Sequence, residues 1–292
     1  MDHKRSAAWS SCGYFISNSY NYAMKVLFKK ISDFFYNIPR VLFINFYKLF
    51  ARTRIFNKKR LPENSSVILA INHSSDADPI ILLSALKKKI YFFAESENFE
   101  TWIASFFMRR FANCIPVFKD RSTKNVKSFK ELFSISNKKN VFFGIFPEGR
   151  INRKIDFQQF QKGAAYFSYK TKFPIIPVYL QNTKKGSDSK RWIYTFRITK
   201  GIISIAGNSF RKVNVFIGEP INPTAENIIK DLEFLTDGKA YKQIIENIHE
   251  ALKEGFLELE SEAGVLIGTT GKDLIMNDLE DDNKDMVDEE II

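Results

Sequence analysis

His73 and Asp78 stand with four residues between them in the run Asn72-His-Ser-Ser-Asp-Ala-Asp-Pro79. An imidazole whose far nitrogen is held by a carboxylate can take a proton from a hydroxyl. The carboxylate fixes the tautomer and stabilises the imidazolium that forms. Such a pair suits general-base catalysis of attack on an acyl carbonyl, a thioester among them. A plainer role is also open: a loop histidine beside an aspartate that caps a helix, with Pro79 at the first helical position. The pair alone does not choose between these.

Three further segments bear on the choice. Ile115-Pro-Val-Phe-Lys-Asp-Arg121 reads as a strand that delivers an arginine at its end. Gly144-Ile-Phe-Pro-Glu-Gly-Arg150 reads as a second strand ending in Pro-Glu-Gly-Arg, and Pro174-Ile-Ile-Pro-Val178 as a third. In a parallel α/β sheet the carboxyl ends of the strands share one edge, where ligands bind. His73, Arg121, Glu148 and Arg150 can therefore converge although they lie far apart in sequence. Arginine presents a planar fork that matches a phosphate.

The elements that must position these groups follow from apolar patterning. The expected strands are Ser66–Ile71, Ile90–Ala94, Cys114–Phe118, Asn140–Phe146, Pro174–Leu180, Trp192–Thr199 and Val213–Ile217. The expected helices are Pro79–Leu86, Phe99–Phe111, Asn125–Ser136, Phe160–Thr171, a segment near Ala225–Leu235, and Ala240–Leu259. This alternation predicts an α/β domain with a central mixed, largely parallel sheet flanked by helices.

The order Asn-His-x4-Asp, Phe-x-Asp-Arg, Phe-Pro-Glu-Gly, Pro-x-x-Pro-Val resembles the glycerolipid acyltransferases, the 1-acylglycerol-3-phosphate acyltransferase superfamily, over roughly residues 62–223. The resemblance implies His73 as general base and Asp78 as its orienting partner. It also implies Arg121 and the segment Glu148, Gly149, Arg150 as binders of the acceptor's phosphate and glycerol. Ser75 matches a serine common in the first motif. Neither a covalent acyl-enzyme nor a metal nor a resident cofactor is implied. The expected donor is an acyl thioester, carried by coenzyme A or by acyl carrier protein, and the expected acceptor is a lysophospholipid. One departure stands out. The family's third motif usually reads Phe-Pro-Glu-Gly-Thr-Arg-Ser, whereas here Phe-Pro-Glu-Gly is followed by Arg150, Ile151, Asn152 and Arg153. Arg153 is therefore a second candidate for the displaced arginine. Variants of this kind resemble family members that reacylate other lysophospholipids. Lys162-Gly-Ala-Ala165 and Val215-Phe-Ile-Gly-Glu-Pro-Ile221 also match the family, without implying catalytic roles.

Charge adds a partner. The 292-residue chain carries a net +11, and its last fifteen residues, 278–292, carry −7. A basic body calls for a polyanionic neighbour: nucleic acid, an anionic membrane or a phosphorylated substrate. Residues 24–60 carry ten Lys/Arg and one Asp. Leu27, Ile31, Phe34, Phe35 and Ile38 fall in one sector of a helix, and a second apolar stretch, Val41–Tyr47, follows Pro39. Apolar faces with basic flanks predict an amphipathic helix pair lying on an anionic membrane surface, peripheral and on its cytoplasmic face. A pair packed on the protein's own core is the alternative. The expected organisation is a disordered leader over 1–23, with Met24 a possible true start, membrane-associating helices over 24–60, a catalytic domain over 61–262 and a disordered acidic tail over 263–292. Cys12 and Cys114 form no disulfide framework, which fits a reducing compartment.

Two rivals are weaker. No ordered nucleic-acid recognition motif accompanies the basic charge, which leaves a binding protein without catalysis as the runner-up. A serine hydrolase lacks its Gly-x-Ser-x-Gly elbow: Gly207-Asn-Ser-Phe-Arg211 fails at the last position. A metal at His73, Asp76 and Asp78 is disfavoured by there being three histidines in the whole chain.

Overall fold

A computed structural model describes residues 24, 38, 41–118, 123–151, 160–183, 197–229 and 237–270. The chain divides into two compact units, 1–46 and 47–292. A helix, α1, occupies 41–50, and its residues Val41, Leu42 and Phe46, which belong to the first unit, are exposed. The rest of the predicted helix pair, apart from single positions, lies outside the described residues, as do the leader and residues 271–292.

The second unit is built on a seven-stranded sheet in the order β1-β7-β6-β2-β5-β3-β4. Its strands are β1 Arg52–Phe56, β2 Val67–Ile71, β3 Ile90–Glu95, β4 Cys114–Val117, β5 Phe142–Ile145, β6 Ile175–Gln181 and β7 Lys212–Ile217. β6, β2, β5, β3 and β4 run parallel, β7 pairs antiparallel with β6, and β1 runs parallel with β7. The sheet is thus mixed and largely parallel, as predicted. Every residue of β2 is buried, which is the mark of a central strand covered on both faces and explains its uninterrupted Val-Ile-Leu-Ala-Ile.

The helices of this unit are α2 Asp78–Leu86, α3 Trp102–Arg110, α4 Thr123–Ser136, α5 Gly163–Thr171, α6 Arg197–Asn208, α7 Glu226–Ile229 and α8 Asp237–Thr270. Phenylalanine fills much of the core: Phe143 meets Phe93, Phe167 and Phe173, and Phe160 meets Phe256 of α8 edge to face. In α8 the buried Ile245, Ile248, Leu252, Phe256, Leu259 and Ala263 recur at helical spacing along one face. Gly255 on that face lies against Pro177 of β6, where a Cβ would come within 2.9 Å of the proline ring.

Three segments differ from expectation. Arg52–Phe56, read as the basic end of the helix pair, is an edge strand. Its Thr53 and Ile55 alternate with exposed Arg52 and Arg54. Arg60, in the following turn, donates to the Ile217 carbonyl at 2.9 Å and pairs with Glu219 at 2.6 Å. The run Trp192–Thr199, rich in β-branched and aromatic residues, was expected as a strand. Arg197 to Thr199 instead open α6, and 192–196 lie outside the described residues. Tertiary context overrides local β-propensity there. The third is the C-terminal helix, which runs past the predicted start of the tail to Thr270, with Ala263 buried.

Candidate functional site

The carboxyl ends of the five parallel strands share one edge of the sheet. β2 and β5 are neighbours there, in register at Ala70 and Ile145. The loop after β2 carries Asn72 to Ala77, and the turn after β5 carries Phe146 to Arg150. The topology alone therefore places His73 beside Glu148.

Asn72 starts the loop and is fully buried. Its side chain continues the sheet ladder toward β6: Nδ2 donates to the Leu180 carbonyl at 3.0 Å and Oδ1 accepts from the Leu180 amide at 2.6 Å. With the backbone pinned at that point, the following residue must leave the sheet at a fixed angle, and that residue is His73.

His73 Nδ1 lies 3.0 Å from Asp78 Oδ2. The same oxygen accepts the backbone amides of Ser74 and Ser75, each at 2.9 Å. The Asp78 side chain is fully buried, and that of His73 is 17% exposed. Asp78 is the first residue of α2, where a carboxylate gains from the helix dipole. The helix N-cap is Ala77, without a side-chain cap, so Asp78 folds back on its own loop rather than capping the helix. Since an ionised carboxylate only accepts, Nδ1 must carry the proton. Nε2 is then the nitrogen left to receive one.

Two groups from the β5 turn brace the imidazole. Phe146 stacks on it, with centroids 4.0 Å apart and planes at 24°, and Phe92 of β3 stacks behind Phe146. Glu148, 3% exposed, accepts the His73 backbone amide on Oε1 at 2.8 Å. The resemblance implied acceptor contact for Glu148; one partner observed is the base's own backbone. Pro147 and Glu148 form the centre of a β-turn closed by the Gly149 amide on the Phe146 carbonyl at 3.0 Å. Gly149 has φ +67°, in the left-handed region that favours glycine. Gly149 and Arg150 are exposed on the outer side of this turn. Arg121 and Arg153 lie outside the described residues, although β4, the strand leading toward Arg121, ends on the same edge.

The loop has a second brace that the sequence reading missed. Ser75 Oγ lies 2.6 Å from Ser204 Oγ and accepts from Nδ2 of the fully buried Asn208 at 3.2 Å. Asn208 Nδ2 also donates to the Ser204 carbonyl at 2.8 Å. Ser204 and Asn208 are one turn apart on α6, the helix misread at its start as a strand, so no local signal could flag them. Among the described residues no group of three His, Cys, Asp or Glu side chains is arranged to hold a metal ion.

The acyltransferase family model matches residues 52–181, which contain the whole of the site just described except the α6 brace. The chain is 26% identical over 203 residues to the 1-acyl-sn-glycerol-3-phosphate acyltransferase of Bacillus subtilis, covering 69% of this chain and 86% of that one. It is 23% identical over 214 residues to a Mycoplasma pneumoniae protein named "Probable 1-acyl-sn-glycerol-3-phosphate acyltransferase", covering 72% and 74%. The crystal structure of the 1-acyl-sn-glycerophosphate acyltransferase from Thermotoga maritima aligns with a TM-score of 0.48 and 21% identity, over 85% of this chain and 92% of that one.

Proposed function

We propose that the chain, which is similar to the acyltransferase family and to 1-acyl-sn-glycerol-3-phosphate acyltransferases, moves a fatty acyl group from a thioester to a hydroxyl of lysophosphatidate or a related lysophospholipid. The observation that carries the reading is the 3.0 Å contact of His73 Nδ1 with Asp78 Oδ2, on an imidazole that keeps some exposure.

In this mechanism His73 Nε2 takes the proton of the acceptor hydroxyl as its oxygen attacks the thioester carbonyl. The resulting imidazolium faces the Asp78 carboxylate. When the tetrahedral intermediate collapses, the C–S bond breaks and the imidazolium returns the proton to the departing sulfur. No acyl-enzyme forms. Exposed Arg150, with Arg121 as its expected companion, receives the acceptor's phosphate. Glu148 serves by holding the His73 backbone. The donor is acyl-coenzyme A or acyl carrier protein.

The membrane reading rests on exposed Val41, Leu42, Phe46 and Leu49 along α1 and on the basic charge of 24–60. Among the described residues no helix is long and apolar enough to cross a membrane, so association is peripheral in this proposal. Deleting 1–40, which spares α1 and β1, should weaken flotation with anionic liposomes, and replacing Val41, Leu42, Phe46 and Leu49 by serine as well should abolish it.

The central test is His73→Ala assayed on a panel of lysolipids with both donors, products read by mass spectrometry. Acyl transfer should fall by about 10²–10⁴-fold, the usual worth of a general base, with the fold intact. Near-normal turnover of that variant, or an acyl-protein adduct trapped with donor alone, overturns direct transfer.

A further inference from the structure

Three buried side-chain atoms among the described residues lack a hydrogen-bond partner: Tyr47 Oη, Asp78 Oδ1 and His249 Nδ1. An orphaned buried polar atom is expensive, and native structures hold few of them. Two of the three are complementary. A phenol O–H is a donor, and a carboxylate oxygen is an acceptor.

The imbalance on Asp78 sharpens this. Oδ2 carries three donors, His73 Nδ1 and the amides of Ser74 and Ser75, while Oδ1 carries none, on a side chain with no exposure at all. Tyr47, on α1, is 3% exposed. Its only polar side-chain atom is the orphaned hydroxyl, so a tyrosine here gains nothing over phenylalanine unless that hydroxyl has a partner.

We propose that the Tyr47 hydroxyl donates to one buried water that in turn donates to Asp78 Oδ1, and is thereby a positioning residue for the His73–Asp78 pair. With Oδ1 tethered, the carboxylate cannot rotate about its Cβ–Cγ bond, and Oδ2 stays on Nδ1. Supporting this, burial and the charge of Asp78 push the Tyr47 phenol up to about 12, so it remains a protonated donor wherever the enzyme would work. The proposal deepens the reading of His73 as general base and rests on it for its kinetic consequence. The hydrogen bond itself does not depend on turnover.

Tyr47→Phe removes one oxygen and keeps the ring. The expected kcat falls about three- to tenfold, the kinetic equivalent of one ordinary hydrogen bond, with KM unchanged. In an Asp78→Ala background the same change should cost less than about twofold, because no side chain is left there for the hydroxyl to position. The Nδ1 proton of His73 gives a direct signature: its downfield resonance, identified by its loss in His73→Ala, should shift or broaden in Tyr47→Phe. An unmoved resonance with unchanged kcat overturns the proposal. So does an equal loss of activity in both backgrounds, which would mean Tyr47 acts elsewhere than through Asp78. If His73→Ala proves fully active, the base reading falls, and the resonance alone then decides whether Tyr47 reaches Asp78.

Discussion

Replacing Asp78 by asparagine and by alanine separates its two jobs. In Asp78→Asn the amide must choose an orientation. At the Oδ2 position it faces two backbone N–H groups at 2.9 Å and the His73 ring at 3.0 Å. An NH₂ there would set donors against donors, so the amide oxygen occupies that position and the His73 Nδ1–H keeps an acceptor. The tautomer survives and only the charge is lost. Imidazolium and carboxylate centres about 4 Å apart interact by about 4 kcal/mol at an effective dielectric near 20. The amide dipole recovers part of this, so kcat/KM should drop by about 10²–10³-fold. Asp78→Ala also strips the acceptor from the Ser74 and Ser75 amides. At about 1–3 kcal/mol each, that should lower the melting temperature by roughly 4–24 °C, whereas Asp78→Asn should melt close to the parent. Acyl-transfer rates and circular-dichroism melts of the two variants are the assay. An asparagine variant within threefold of full activity would refute the electrostatic argument. One that melts as early as the alanine variant would refute the orientation argument.

Two further outcomes are expected. A bidentate arginine–phosphate contact is worth about 1.5–3 kcal/mol, so Arg150→Ala should weaken acceptor use roughly tenfold to a hundredfold and Arg150→Lys should rescue it only in part; an effect from Arg153→Ala instead would reassign the displaced motif. His249, buried on α8, is held below its ordinary value of 6.5 by burial and then by Lys253, with Lys162 acting the same way against Glu250 and Glu246. Below about pH 6.5 the unfolded chain binds a proton there that the folded chain refuses, so this group costs stability as pH falls, by at most about 1.4 kcal/mol per pH unit. Denaturant melts should show a shallower acid-side decline for His249→Leu, and parallel declines would refute the argument.

The sequence alone determined what depends on near neighbours. The buried parallel strands are legible because covering both faces demands unbroken apolar runs, as in Val67–Ile71. His73 and Asp78 are legible because five positions of chain suffice to fold the carboxylate back onto the ring. Tertiary structure decided what depends on distant partners. Arg52–Phe56 is a strand only because β7 offers it an edge, and its alternating basic residues otherwise suit a surface helix equally well. Glu148 turns inward because a backbone amide 75 residues away needs an acceptor. The α6 brace on Ser75 spans 129 and 133 residues, and the Asn72–Leu180 clasp spans 108. Propensity and periodicity report only on local conformation, so a hydrogen bond closed over such a length of chain leaves no trace in either residue's own neighbourhood. It exists only once the sheet has set the strand order.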